Sequence, residues 1–205
     1  MPEKMFPRTE VGGVSLSRMI MGTNWMLGWS HTGLAADNMI KRRYADKEPF
    51  KAMLEAYLSH GVDTIMAPFS LSPVAPELVK AIRDLGMIPG LSAHMPELIT
   101  FSDDNGYDVE TYIQIYNCMG FLMQVEIETV AGIIHNAKKP VMTIKSMAAG
   151  RVTPYVGLNF SWATLRDCDM VTVGAFTPEE VGSLFHDPGC RFKDSSSFIC
   201  INRVQ

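Results

Sequence analysis

The chain of 205 residues carries a net charge of −4, with 47% hydrophobic and 20% charged residues. That length and balance suit one substantial globular core, and the mild acidity leaves no basic footprint for a nucleic-acid partner. No apolar run approaches the roughly 20 residues of a membrane span, and the opening MPEKMFPRTE lacks the apolar stretch of a signal peptide, so a cytoplasmic protein with no membrane partner is expected.

EVGGVSLS (residues 10–17) predicts a hairpin turning at Gly12-Gly13, and SRMIMGTNW a strand ending near Gly22. The polar stretch LGWSHTGLAADNMIKRRYADK reads as a long loop. DKEPFKAMLEAYLSHG predicts a helix: Phe50, Met53, Leu54, Tyr57 and Leu58 recur at helical spacing, and Gly61 is a natural stop. VDTIMA is a strand. PELVKAIRDLG is a helix opened by Pro76 and closed by Gly86, MIPGLS a strand interrupted by Pro89, and MPELITFSDDNG a short helix. TYIQIYN is a strand, GFLMQVEIETVAGIIHNAKK mainly helix, and PVMTIKS a strand. PYVGLNFSWATLRDC is a helix and DMVTVGAF a strand. TPEEVGSLF begins a last helix, with Thr177 as N-cap, Pro178 at the first helical position and Glu180 at the third.

Strands alternating with helices predict a parallel sheet, and short apolar runs fit strands covered on both faces. A (β/α) barrel and a doubly wound sheet both satisfy the pattern. No Gly-x-Gly-x-x-Gly follows the first strand, which weakens a Rossmann reading. The hairpin, expected to cap the barrel bottom, favours the barrel. A complete eight-unit barrel takes about 250 residues, whereas this sequence shows six strands besides the hairpin. The expected fold class is therefore α/β, an incomplete TIM-barrel-like fold with about six parallel strands plus an N-terminal hairpin. Residues 1–185 are expected as the single domain. Residues 186–205, HDPGCRFKDSSSFICINRVQ, break the pattern and read as a flexible or foreign extension. The cysteines Cys118, Cys168, Cys190 and Cys200 have neither Cys-x-x-Cys nor zinc-finger spacing, so reduced thiols are expected.

Functional groups of such barrels sit at the C-terminal strand ends. That rule selects Thr23, Asn24, Trp25, Ser92, His94, Tyr116, Asn117, Lys145, Ser146 and Gly174. Lys145 ends an apolar strand, where desolvation would make its amine a base or a Schiff-base former; a lysine whose stem packs while its amine reaches solvent fits equally. His94 is read as a general acid/base or as a hydrogen-bonded structural residue. Trp25 and Trp29 form either an aromatic lid that contacts substrate with Asn24, or ordinary packing. Arg151 is either an anion contact or a solvated side chain. His31, His94 and Glu126 are conceivable metal ligands, but no His-x-His or His-Glu-x-x-His motif supports them and no metal is expected.

Five segments, in order, resemble the aldo-keto reductase superfamily: FPRTEVGGVSLSRMIMGT, GMIPGLSAHMPELI, YIQIYN, KPVMTIKSMAAGR and DMVTVGAFTPEEV. They are similar to its opening hairpin and first strand and to its fifth through eighth units. On this alignment units three and four are absent, with FSLSPVA at the junction. The resemblance implies NADP-dependent carbonyl reduction by Asp, Tyr, Lys and His. None of the four carries over: the Asp position falls at Met66, no Tyr follows, and the Lys and His positions lie in the missing units. The cofactor-side positions implied are Ser92, Gln114 and Tyr116 for the nicotinamide, Ser146 to Gly150 for the pyrophosphate, and Gly174 and Thr177 for the adenosine phosphate. Glu179 and Glu180 stand where a 2′-phosphate would need cations, which leaves NADP and NAD both open.

Three functions fit: an aldo-keto-reductase-like NAD(P)-linked oxidoreductase relative with lost or altered catalysis, a barrel lyase, isomerase or aldolase using Lys145 and His94, and a non-catalytic binding module. A small-molecule substrate is the expected partner. Unpaired sheet edges left by the missing units predict a homodimer.

Overall fold

In a computed structural model of the chain, the structure describes residues 6–30, 32–66, 80, 82–84, 86–186, 191–194 and 197–200. The hairpin forms as expected: β1 (Arg8–Val11) pairs antiparallel with β2 (Val14–Ser17). Gly12 and Gly13 adopt φ of +54° and +75°, the left-handed pair that a two-residue hairpin turn requires.

Six parallel strands follow, β3 (Met19–Gly22), β4 (Ile65–Met66), β5 (Gly90–Ser92), β6 (Thr111–Ile115), β7 (Val141–Ile144) and β8 (Met170–Val173). Their order in the sheet is β4-β3-β8-β7-β6-β5. This is the α/β, incomplete TIM-barrel-like architecture expected from the sequence, a curled half-barrel. Among the described residues β4 and β5 do not pair, so the sheet keeps two edges there. The junction segment FSLSPVA lies outside the described residues, as does most of PELVKAIRDLG, of which Lys80 and residues 82–84 are helical.

Register divides the side chains between two faces. Ile20 pairs with Thr172, Met170 with Met142, Met142 with Ile113, and Ile113 with Ser92. On this face Ile20, Met142 and Met170 pack with Val11 of the hairpin, which closes the N-terminal end of the strands. A Cβ on Gly12 would come within 2.9 Å of the Glu110 side chain, so the turn sits tightly there. The opposite face carries Met19, Met21, Tyr112, Val141, Val171 and Val173 in the larger core shared with the helices.

The helices are α1 (Asn24–Leu27), α2 (Leu34–Arg43), α3 (Lys47–Ser59), α4 (Glu97–Asp104), α5 (Ile127–Asn136), α6 (Pro154–Thr164) and α7 (Pro178–His186). Helix α2 corrects the expectation of a loop. Only Ile40 of α2 is buried, so its sequence has no apolar stripe to betray it. Asp37 in its first turn accepts bonds from the backbone N–H and hydroxyl of Ser30, and Lys41, Arg42 and Arg43 lie at its C-terminal end, where the helix dipole favours cations. Helix α5 is shorter than expected because residues 118–126 form a loop.

Buried charge fastens the barrel bottom. Asp169 is fully buried and accepts bonds from Nε and Nη2 of Arg166 at 3.0 and 2.7 Å and from the backbone N–H groups of Val141 and Arg166. Arg18 donates to the carbonyls of Asp169 and Arg166, and its guanidinium lies 5.2 Å from the centre of the Trp162 ring. Within the expected extension, β9 (Arg191–Asp194) and β10 (Ser197–Cys200) form a separate antiparallel pair.

Candidate functional site

The C-terminal ends of β3, β5, β6, β7 and β8 bring together most of the residues selected from the sequence. At β3, the buried Thr23 hydroxyl donates to the carbonyl of Met66 and ties β3 to β4. Asn24 opens α1, and its carbonyl accepts from the backbone N–H of Trp29. Trp25 is not a lid. It is 3% exposed, its Nε1–H donates to the carbonyl of Gly22, and its ring packs 4.7 Å from Tyr44 and 5.5 Å from Phe50. An indole with its one donor satisfied inside the core is an anchor for the loop. Trp29 differs, being half exposed. His31 lies outside the described residues.

At β5, Ser92 is exposed on the face that carries Ile113, the barrel interior. His94 is also exposed, and its backbone carbonyl accepts from Nε2 of Gln114 at 3.3 Å. Gln114 and Tyr116 do not share that face. Gln114 stands in register with Thr143, and Thr143 with Val171 of the helix-side core. Its amide is buried and donates to the carbonyls of His94 and Ile115. Tyr116 is 1% exposed, its ring lies 5.1 Å from Phe160, and its hydroxyl donates to Thr164 on α6. Strand alternation is the reason: Tyr112, Gln114 and Tyr116 share one parity, and Tyr112 faces the helices. Neither Gln114 nor Tyr116 is placed to meet a ligand in the barrel interior.

Beyond β6, Asn117 is fully buried and organises the loop. Its Oδ1 accepts from the backbone N–H groups of Met119 and Phe121, and its Nδ2 donates to the carbonyl of Phe121. Leu122 is held at φ +58°. The guanidinium of Arg151 sits 3.9 Å from the centre of the Phe121 ring and Nη1 donates to the carbonyl of Ala148, so Arg151 joins the loops after β6 and β7. Asn117 stood among the strand-end residues, but its stapling role depends on contacts the sequence does not display.

The loop after β7 is the most strained segment described. Lys145, Ala148 and Ala149 have φ of +62°, +48° and +54°, followed by Gly150 at +83°. The left-handed region costs a residue with a Cβ about 1–2 kcal/mol, and three such residues within five positions need support from their surroundings. Part of it comes from α6, whose Gly157 approaches so closely that a Cβ would lie 2.5 Å from the carbonyl oxygen of Ser146. Lys145 is half-buried, and desolvation pushes its amine below the usual lysine range. Ser146 is 1% exposed, and its hydroxyl has no partner among the described residues. Ser102 on α4 and Thr172 on β8 carry the other such hydroxyls, and Thr172 lies on the interior face in register with Ile20. Sequence reasoning missed Thr172, although its place two residues before Gly174 on an inward parity was a usable signal.

Gly150 and Gly174 both have open space where a Cβ would project. At the start of α7 the expected cap forms. The Thr177 hydroxyl accepts from the backbone N–H of Glu180, and the Glu180 carboxylate accepts from the backbone N–H of Phe176 at 2.6 Å. This reciprocal arrangement spends the helix's own donors on its own side chains. Among the described residues no three His, Cys, Asp or Glu side chains cluster as metal ligands, and no helix is long and apolar enough to cross a membrane.

No family model and no curated protein matches the chain. A solved structure described as a "putative aldo-keto reductase" from Pseudomonas aeruginosa is similar over 89% of this chain and 95% of its own, with a TM-score of 0.52 at 10% identity. A likeness at that identity supports the fold: the chain has an aldo-keto-reductase-like partial barrel.

Proposed function

We propose that the chain is a relative of nicotinamide-linked oxidoreductases on an aldo-keto-reductase-like scaffold, in which the family's carbonyl reduction is lost or altered. The observation that carries ligand binding is the pair of buried, unpartnered hydroxyls, Ser146 and Thr172, on the adjoining strand ends of β7 and β8. Buried polar groups are mostly satisfied; Ser102 on α4 is a further exception, but only Ser146 and Thr172 lie toward the functional end of the barrel, where they fit a bound polar molecule. Ser92 adds an exposed hydroxyl on the interior face that carries Thr172.

These residues fit a nicotinamide nucleotide in part. Ser92, Ser146 and Thr172 would hold polar groups of the nicotinamide half, and Gly150 and Gly174 would let backbone approach the pyrophosphate. When bound, such a nucleotide supplies a hydride donor or acceptor. The adenosine end fits a 2′-phosphate badly, because the Glu180 carboxylate occupies the start of α7 and like charge repels. NADH is therefore the better ligand. The loss of reaction follows from the proton side. Met66 occupies the aspartate position implied by the resemblance. The nearest carboxylate on that strand, Asp63, lies before β4 and pairs with Arg8 of the hairpin at 2.8 Å, toward the barrel bottom. A general acid must reach the reacting group, and Asp63 does not stand at the C-terminal end.

Fluorescence titration of the chain with NADH and NADPH tests the reading. NADH is expected to bind more tightly, and Glu180→Gln, which removes one charge at the helix start, is expected to narrow the gap by about 2- to 5-fold. Absence of binding by either nucleotide at millimolar concentration refutes the cofactor reading. Reduction of simple aldehydes at rates ordinary for enzymes refutes the lost reaction.

A further inference from the structure

The geometry points to Lys145 as a reactive amine that forms an imine with the carbonyl group of a small aldehyde or ketone. This goes beyond nucleotide binding and does not depend on it.

Three placements converge on this residue. First, Lys145 directly follows Ile144, the last residue of β7, an interior strand flanked on both sides by β6 and β8. Its position is therefore at the loop-bearing end of the barrel, where chemistry is done in this architecture. Second, its backbone is left-handed at φ +62°, with the Ala148 N–H donating to its carbonyl at 2.8 Å. A lysine gains nothing intrinsic from that conformation, since glycine or asparagine would adopt it at less cost. Strain of this kind concentrates at functional sites and persists where the surroundings impose it. Here the imposing elements are Gly157 pressed on the Ser146 carbonyl and Arg151 bridging to Phe121. Third, the side chain is half-buried, and burial is the cause that lowers its proton affinity. Desolvation of an amine favours its neutral, nucleophilic form. The next residue in the chain, Ser146, has a buried hydroxyl with no partner among the described residues.

The step balances without an added redox partner. The lone pair of neutral Nζ attacks the carbonyl carbon, and the carbonyl π pair moves to oxygen. A proton passes from nitrogen to that oxygen, giving a carbinolamine. The C–O bond then breaks, the oxygen leaves as water after taking a proton from solvent, and the nitrogen lone pair forms the C=N bond. The iminium carbon accepts hydride from cyanoborohydride, which fixes the adduct as a secondary amine.

The full chain is incubated near pH 7.5 with glycolaldehyde, and separately with pyruvate, in the presence of cyanoborohydride, and modified lysines are located by peptide mass spectrometry. Lys145 is expected to be modified about tenfold or more faster than the exposed Lys51 and Lys80. Its rate is also expected to reach half-maximum at a lower pH than theirs. Lys145→Arg keeps the charge and removes the adduct, with circular dichroism reporting that the fold is kept. Modification of Lys145 no faster than Lys51 and Lys80 with both probes overturns the proposal. Because the measurement contains no nucleotide, its failure is separate from failure of the NADH titration.

Discussion

Two glycines in helices offer a paired test of the packing that shapes the loop after β7. Gly132 lies in the interior of α5 with open space where a Cβ would project, whereas a Cβ on Gly157 of α6 would lie 2.5 Å from the Ser146 carbonyl oxygen and 3.2 Å from Cα of Met147. Both positions gain about 1 kcal/mol of helix propensity on replacement by alanine. At Gly132 that gain stands alone. At Gly157 the obstructing atoms are backbone, so α6 must move outward or the strained loop must shift, and overpacking of this kind costs about 1–3 kcal/mol. Gly132→Ala should therefore stabilise the chain by about 0.5–1 kcal/mol. Gly157→Ala should range from neutral to about 2 kcal/mol destabilising. A chain of this size moves about 2–4 °C in Tm per kcal/mol, so thermal unfolding followed by circular dichroism separates the two variants. If Gly157→Ala stabilises as much as Gly132→Ala, α6 does not press on Ser146. The left-handed residues of the loop then owe their conformation to other contacts.

Asp169→Ala leaves Arg166 and the Val141 N–H without their buried acceptor and should cost about 3–5 kcal/mol, read in denaturant unfolding; a loss under 1 kcal/mol contradicts the bottom-fastening role. Lys145 carries a burial penalty in its charged form. Its folded pKa lies below the unfolded value of 10.5, so the unfolded chain binds more protons between the two, and stability from this group rises with pH through that window. Lys145→Met should accordingly be more stable than the parent at neutral pH, with the advantage shrinking as pH approaches 10.5; a difference that is flat with pH refutes it. The edges at β4 and β5 predict self-association. Sedimentation velocity should show a dimer at tens of micromolar, weakened by Ile65→Lys on β4, and a monomer at every concentration ends that expectation.

How much was legible depended on whether a residue's role was local. The Gly12-Gly13 turn, the α7 cap from Thr177 and Glu180, and the order of the six parallel strands follow from neighbours a few positions apart, and all three appear in the structure. Helix α2 escaped because a polar helix fixed by Asp37 and Ser30 carries no apolar period. The site was legible as a set of strand ends but not as a set of directions. Gln114 and Tyr116 stand at the expected strand yet face the helices, while Thr172, which lies inside β8 and not at its end, faces inward.

The amino-acid order by itself determined an alternating α/β chain with a capping hairpin and too few units for a full barrel, because periodicity and turn chemistry are short-range. Only the tertiary structure decided which side of each strand meets the interior, that Trp25 is an anchor, that Lys145 is held left-handed and that the Ser146 hydroxyl is buried. Those outcomes depend on strand register and on the approach of α6 to the loop, contacts between segments whose separation no local pattern encodes.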